Sequence, residues 1–413
     1  MRRKLDNICS FLSGNAWKAK EFGEEGIPIL RINNMNENEN NFKYWKGEYD
    51  EKFLVNKGDL LVSLSGSIKT FQWNGPEALL NQRIVKITAN PNVNQDWIYY
   101  QISYVIEEIS NKGKHAIIKN VSINDLKNFE VEVPDLNTQN KIVAILDQAS
   151  RLVEKRQESI DLLDELLRAQ FLEMFGDLTI NPKNYNLIPF KSIIEKIKAG
   201  WSPVCEESSR TSENEWAVLK QGAVSKRKFN PEENKLLPKG THIKKKITAQ
   251  KGDLLFSRKN SKEFVGSAAY VFEEYQNLLL PATIFNLRYK KEIVSPLFLF
   301  YLINDYNFKK VIQNLRNGAA ASMPNISQKS LLNLMIPLPG FDEQKRFEKL
   351  ALKVYENKKS TNDSLNNINE LYQSILQRAF SGNLNFNDLE SKFEKYEINS
   401  EVGVAAEGEG VYK

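Results

Sequence analysis

The side chains able to do covalent chemistry are few and scattered. The chain holds two cysteines, Cys9 and Cys205, and two histidines, His115 and His242. Neither cysteine has a neighbour at metal-ligand spacing, so no zinc site is expected. A nucleophile–histidine pair could draw only on His115 or His242, and neither sits in a supporting motif. No Gly-x-x-x-x-Gly-Lys-Ser/Thr loop and no Gly-x-Gly-x-x-Gly turn is present to cradle nucleotide phosphates. The Asn/Asp-Pro-Pro-Tyr/Phe segment that holds a flipped adenine is also missing. Glu343-Gln344-Lys345 has a Glu-x-Lys spacing found in some nucleases, but no suitable Asp precedes it. At a helix start that glutamate answers the positive end of the helix dipole instead. Catalysis by this chain is not expected.

What the sequence offers is the chemistry of polyanion contact. Lys112, Lys114, His115, Lys119 and Asn120 cluster around Gly113, and Arg316, Asn317, Gly318, Ser322 and Asn325 occupy the matching stretch of the second half. Ser65, Ser67 and Lys69 follow one strand, and Arg258, Lys259 and Asn260 follow its counterpart. Lys226-Arg227-Lys228 and Lys244-Lys245-Lys246 are further basic runs. Arg and Asn can pair bidentately with the edges of guanine and adenine, whereas Lys anchors phosphate. A single lysine more often marks a solvated surface, but loops at repeat-equivalent positions carry more weight as groups. Of the six tryptophans, Trp17, Trp45, Trp73, Trp97 and Trp216 read as core, and Trp201 alone is a contact candidate. The net charge is +5. From Asn385 onward, seven acidic residues face three lysines, so that tail carries −4 and leaves a body of +9. A basic body suits a polyanionic partner.

The elements that must position these loops come as an internal repeat. Lys57-Gly58-Asp59-Leu60-Leu61-Val62-Ser63 recurs as Lys251-Gly252-Asp253-Leu254-Leu255-Phe256-Ser257, and Asn120-Val121-Ser122 as Asn325-Ile326-Ser327. Leu126, Asn128, Pro134 and Gln139 meet Leu331, Asn333, Pro339 and Gln344 in the same order. Ile8 with Gly14 echoes Ile194 with Gly200. Gly-Asp turns launch buried strands at Leu60–Val62 and Leu254–Phe256. Further strands are expected over Arg83–Thr88, Ala268–Phe272 and Thr283–Leu287, and helices over Asp96–Asn111 and Ser295–Asn314. Each half then closes with a long helix, N-capped at Asn137 or Asp342 and ended at Gly176 or Gly382.

Along the first long helix, Ile142, Leu146, Ala149, Val153, Arg156, Ile160, Leu163, Leu167, Gln170 and Met174 follow alternating steps of four and three. The positions from Phe347 to Ala379 match them in the second helix. That period specifies a left-handed coiled coil. Because the first helix must reach the second domain while the second leaves it, the pairing is expected to be antiparallel. At ~1.5 Å per residue, about 33 residues make a spacer of about 50 Å. Two units also suit the length, since single cores stop growing at about 250–300 residues.

Val133-Pro134-Asp135-Leu136-Asn137-Thr138-Gln139 and Ile336-Pro337-Leu338-Pro339-Gly340-Phe341-Asp342-Glu343-Gln344, each followed by a long helix, resemble the specificity subunits of type I restriction–modification enzymes. The second copy is close to the family's PLPPLEEQ form. The first departs at Asp135 and Asn137-Thr138. Lys57–Leu61 and Lys251–Leu255 resemble its GDIL strand entry, Gly200-Trp201-Ser202-Pro203 its SG-T/S-P loop, and Arg378-Ala379-Phe380-Ser381-Gly382 its A-F-x-G helix end. Together the likeness spans residues 1–385. It implies an α+β chain of two tandem mixed α/β target-recognition domains, over 1–135 and 179–338. Two antiparallel coiled-coil helices, 136–178 and 339–384, would separate them in an internal pseudo-twofold repeat, with an acidic, disordered tail at 385–413.

The resemblance further implies a non-catalytic adaptor that reads a bipartite double-stranded DNA target. Two methyltransferase (modification) subunits and restriction/translocase subunits would dock on it. S-adenosylmethionine, ATP and Mg2+ would belong to those partners, and this chain would bind none of them. A cytoplasmic location is expected: Met1-Arg2-Arg3-Lys4 leads into Asp6 and Asn7 with no apolar run behind it, and no stretch could span a bilayer. The competing readings are a non-enzymatic coiled-coil scaffold with duplicated protein-binding domains, and an enzyme with unrecognised motifs.

Overall fold

The computed structural model describes residues 2–36, 41–63, 68–112, 122–244, 246–317 and 323–381. It divides into two compact units. Unit 1 takes in Met1–Gln157 and Asp363–Lys413, and unit 2 takes in Glu158–Asn362. Gly382 and the acidic tail lie outside the described residues.

In unit 1 a four-stranded antiparallel sheet is built from β1 (Cys9–Ser13), β2 (Leu60–Ser63), β3 (Thr70–Gln72) and β4 (Ile84–Ala89), in the order β1-β4-β2-β3. Val85 pairs with Ser13 on one side and with Val62 on the other. Leu60, Val62, Val85 and Ile87 point into a core closed by helix α1 (Gln95–Lys112), where Trp97, Ile98 and Ile102 are buried. Helix α2 (Leu136–Phe175) lends Ile142, Leu146 and Ala149 to the same core.

Unit 2 repeats this plan. Strands β5 (Ile194–Ala199), β6 (Leu254–Ser257), β7 (Ala268–Tyr270) and β8 (Ile284–Tyr289) lie in the order β5-β8-β6-β7. In each unit a second small sheet contains one parallel pair: Ile29 opposite Leu79, and Ala217 opposite Leu278.

The repeated motifs are structural joints. Gly58 and Gly252 take φ of 93° and 87°, a turn conformation that side chains resist. The aspartate that follows closes the turn. Asp59 accepts from the Asn56 N–H at 2.8 Å and pairs with Lys86 on β4 at 3.1 Å. Asp253 accepts from the Gln250 N–H at 3.1 Å and from Asn286 Nδ2 at 2.6 Å, and Arg288 Nη1 on β8 lies 2.9 Å away. Burial pushes the Asp253 carboxyl above its usual range, against the pull of Arg288. The arginine contact is an ion pair without hydrogen-bond alignment, since Asp253 Oδ1 finds no hydrogen-bond partner among the described residues.

The glutamine of each Pro-to-Gln segment is a second joint. Gln139 accepts from the Asn94 N–H at 2.8 Å and donates to the Pro134 carbonyl at 2.9 Å. Gln344 accepts from the Ser295 N–H at 3.0 Å and donates to the Pro339 carbonyl at 2.9 Å. Each therefore ties the start of a long helix to the start of the helix packed on the sheet, α1 in unit 1 and α3 (Pro296–Asn304) in unit 2.

Two local expectations are corrected. Helix α2 begins at Leu136, so its cap is Asp135, which accepts from the Thr138 N–H at 3.0 Å, and Asn137 lies inside the first turn. Helix α5 (Phe341–Phe380) likewise already contains Asp342. The single helix expected over Ser295–Asn314 is two, α3 and α4 (Tyr306–Gln313). Asp305 leaves the helical region and its Oδ1 caps the Asn307 and Phe308 N–H groups at 3.0 and 2.9 Å. Gly176, at φ 72°, ends α2 by donating to the Leu172 carbonyl at 2.7 Å.

Every position of the four-and-three seam is buried or half-buried on both long helices. In unit 1, Ile142, Leu146 and Ala149 share a core with Ile375 and Leu376. In unit 2, Phe171 and Phe175 meet the buried Phe347 ring at 5.2 and 5.6 Å. Burial of a phenylalanine of this kind is worth about 1.5–3 kcal/mol. Among the seam's polar residues, Lys358 reaches Asp164 at 2.5 Å.

Candidate nucleic-acid interface

In unit 2 the sheet delivers β6 directly into Arg258-Lys259-Asn260. The Arg258 N–H donates to the Thr283 carbonyl at 3.1 Å, and its carbonyl accepts from Ile326 at 2.8 Å. Lys259 forms an isolated bridge with Asn325. The short strands β9 (Arg316–Asn317) and β10 (Asn325–Ile326) pair antiparallel, Asn317 opposite Asn325. Arg258, Lys259, Asn260, Arg316, Asn317 and Asn325 thus assemble into one group, although residues 261–315 separate the two stretches.

Within it, Arg258 is held from two sides. Its Nε donates to Asn325 Oδ1 at 3.1 Å, and its guanidinium lies 4.8 Å over the Phe285 ring. Its terminal nitrogens make no hydrogen bond among the described residues, which leaves the fork presented for two acceptors. Asn260 has a different fate. It is 6% exposed, and its Nδ2 donates to Ser225 Oγ at 2.9 Å and Ser257 Oγ at 3.0 Å. Its amide is spent on the fold, and its role is to pin the loop.

Lys226, Arg227 and Lys228 are exposed and follow the helical turn Gly222–Ser225. Arg227 takes a φ of 59°, and partial desolvation of its guanidinium, with the charge of Arg168 nearby, lowers its pKa against the pull of Asp305. Lys226 and Arg227 line a cleft with Tyr306, Lys309, Lys310 and Gln313. Sequence reasoning missed those four residues of α4. The only signal was the Lys309-Lys310 doublet behind Asp305.

Trp201 is half-buried, with its N–H bonded to the Leu280 carbonyl at 2.8 Å. The preceding Gly200 lies so close to that segment that a Cβ would fall 1.8 Å from the Leu280 oxygen. The Trp201 backbone is thus fastened to the segment that leads to Thr283, the residue whose carbonyl meets the Arg258 N–H.

In unit 1 the counterpart is described only at its edges. Lys69 is exposed, and its backbone pairs with Ser63 at the end of β2, its carbonyl accepting from the Ser63 N–H at 3.0 Å and its N–H donating to Ser63 Oγ at 3.2 Å. Lys112 is the last residue of α1. Ser65, Ser67, Lys114, His115, Lys119, Asn120 and, in unit 2, Ser322 lie outside the described residues, as does Lys245. Among the described residues no group of three His, Cys, Asp or Glu could hold a metal ion, and no helix is long and apolar enough to cross a membrane.

The model of the type I restriction modification DNA specificity domain matches residues 1–162 and again 182–371. The chain belongs to this family of specificity subunits. Its two matched regions are tandem domains of the same kind. The specificity subunit of the Escherichia coli type I restriction enzyme EcoBI is 24% identical, over 93% of this chain and 86% of its own length. The MjaVIII specificity subunit of Methanocaldococcus jannaschii is 22% identical over 72% of each. The fold of this specificity subunit is similar to that of the type I restriction–modification S subunit from M. genitalium. The TM-score is 0.55 at 14% identity, covering 92% of this chain and 96% of that one. Membership in a specificity-subunit family implies recognition of a DNA target.

Proposed function

We propose that this specificity subunit reads a bipartite DNA sequence, one half through residues 1–135 and the other through residues 179–338. In unit 2 the base-reading element is Arg258, with Arg316, Asn317 and Asn325 beside it, and Lys226, Arg227, Lys228 and Lys259 engage the backbone. The group after β2 and α1 (Ser65, Ser67, Lys69, Lys112, Lys114, His115, Lys119 and Asn120) does the same for unit 1. The observation that carries this reading is the braced Arg258 fork. A guanidinium fixed by Asn325 and Phe285 is pre-organised for the O6 and N7 acceptors of guanine.

The long helices act as an antiparallel coiled-coil spacer in a pseudo-twofold molecule. They fix the gap between half-sites and dock two modification subunits, to which restriction subunits are added. The chain itself is non-catalytic and works in the cytoplasm. S-adenosylmethionine, ATP and Mg2+ are bound by its partners.

The test is an exchange of segment 180–338 for that of a relative with a known target, read by methylome sequencing. One half of the methylated motif should change and the other should stay. A change in both halves, or in neither, refutes the two-reader scheme.

A further inference from the structure

We propose that the cleft between the turn after Gly222–Ser225 and helix α4 clamps one phosphodiester of the DNA backbone, with Lys309 as its buried cation. This rests on the DNA-reading function proposed above and adds a site to it.

The cleft holds about 320 Å³. Lys309 is only 8% exposed. Its ammonium donates to Ser267 Oγ at 2.8 Å. An ammonium carries three donors, and among the described residues no carboxylate comes within ion-pair distance of this one. The charges around it are Arg227, Lys226 and Lys310 on one side of the balance and Glu263 on the other. A buried cation facing other cations is costly unless an anion joins it. Burial, and then the charge of Arg227, pull Lys309 down to about 8. The chain keeps this unfavourable arrangement in the wall of a cleft, where an incoming anion would relieve it.

The lining also selects the kind of anion. Lysine is a point charge suited to phosphate. Of the two aromatic rings in the lining, Tyr306 and Phe264, the first is already covered by Lys310 Nζ at 3.9 Å, and the cations outnumber the rings. The cleft is wired to the reading loop, since Ser225 on its wall accepts from Asn260 two residues after Arg258. A phosphate seated here would fix the register at which the Arg258 fork meets its base pair, the usual division between positioning and reading contacts.

The experiment measures binding of the full chain, assembled with modification subunits, to its target duplex and to an unrelated duplex over a range of salt. Lys309→Met keeps the length of the buried stem and removes the charge. Arg227→Gly removes a neighbouring charge at a left-handed position that glycine adopts freely, so it guards against loss of folding. Each variant should lower the slope of log affinity against log salt by about 1 and weaken both duplexes by the same factor. Unchanged slopes in both variants overturn the clamp, and so does weakening confined to the target duplex, which would mark a base contact. Unchanged slopes with lost thermal stabilisation by inorganic phosphate would make this a free-anion site and overturn the DNA assignment. If the unaltered complex shows no target preference at all, the specificity reading itself fails, separately from the clamp.

Discussion

Replacing Gln344 by methionine removes a joint while nearly keeping the volume. Gln344 is fully buried, accepting from the Ser295 N–H at 3.0 Å and donating to the Pro339 carbonyl at 2.9 Å. The variant leaves both backbone groups buried and unpaired. Each costs about 1–3 kcal/mol, and burying a thioether in place of an amide returns part of that. The expected loss is about 2–4 kcal/mol. At an m of about 3 kcal/mol/M in urea, the unfolding midpoint should fall by roughly 1 M. Hydrogen exchange gives the local reading, because protection should drop at the Ser295 and Phe298 amides that open α3. Gln139→Met is the matched control, exposing the Asn94 N–H and the Pro134 carbonyl. Its loss should appear in α1, because each joint makes these hydrogen bonds inside its own unit. A midpoint shift below about 0.2 M with unaltered α3 protection would refute the reasoning, since buried backbone groups would then have been left unpaired at no cost.

Gly200→Ala should destabilise unit 2 by about 3 kcal/mol or more, seen in thermal melting, because its Cβ would meet the Leu280 backbone at 1.8 Å. Gly58→Ala, where a Cβ meets nothing within 4 Å but φ is 93°, should cost only about 1–2 kcal/mol. Arg258→Lys keeps the charge and loses the fork, so discrimination at one base pair should fall by about 1–3 kcal/mol while the salt slope stays. A uniform loss across sequences would remove Arg258 from the reading role. DNA affinity should also depend on pH through Lys309, which lies near 8. Below that value its ammonium is present. Between pH 7 and 9 it loses its proton, and affinity at fixed salt should fall, whereas Lys309→Met should show a flatter profile over the same range.

How much of this could be seen in the sequence depended on the range of the interaction that fixes each feature. Lys-Gly-Asp was legible because a left-handed glycine and a turn-closing aspartate act within four residues, as Asn56 to Asp59 do. The glutamine joint was visible as a motif, but its partners were not, since Asn94 and Ser295 lie far back along the chain. The break at Asp305 was hidden because Leu302, Ile303, Phe308 and Ile312 continue an apolar spacing across it. Asn260 was expected to face DNA, yet two serine hydroxyls claim its amide. Lys309 was overlooked for the opposite reason. A lysine reads as a solvated charge, and only tertiary packing reveals that this one is enclosed.

The two glutamine joints meet backbone atoms alone at their far ends, an N–H of one helix start and a proline carbonyl. Such a joint makes no demand on which side chains occupy the loops between its ends. A lineage can therefore rewrite those loops by drift, or exchange a whole stretch by recombination, while the frame stays assembled. The EcoBI specificity subunit shares only 24% identity over 93% of this chain, and a fastening made to backbone atoms asks for little of that identity beyond its own glutamine.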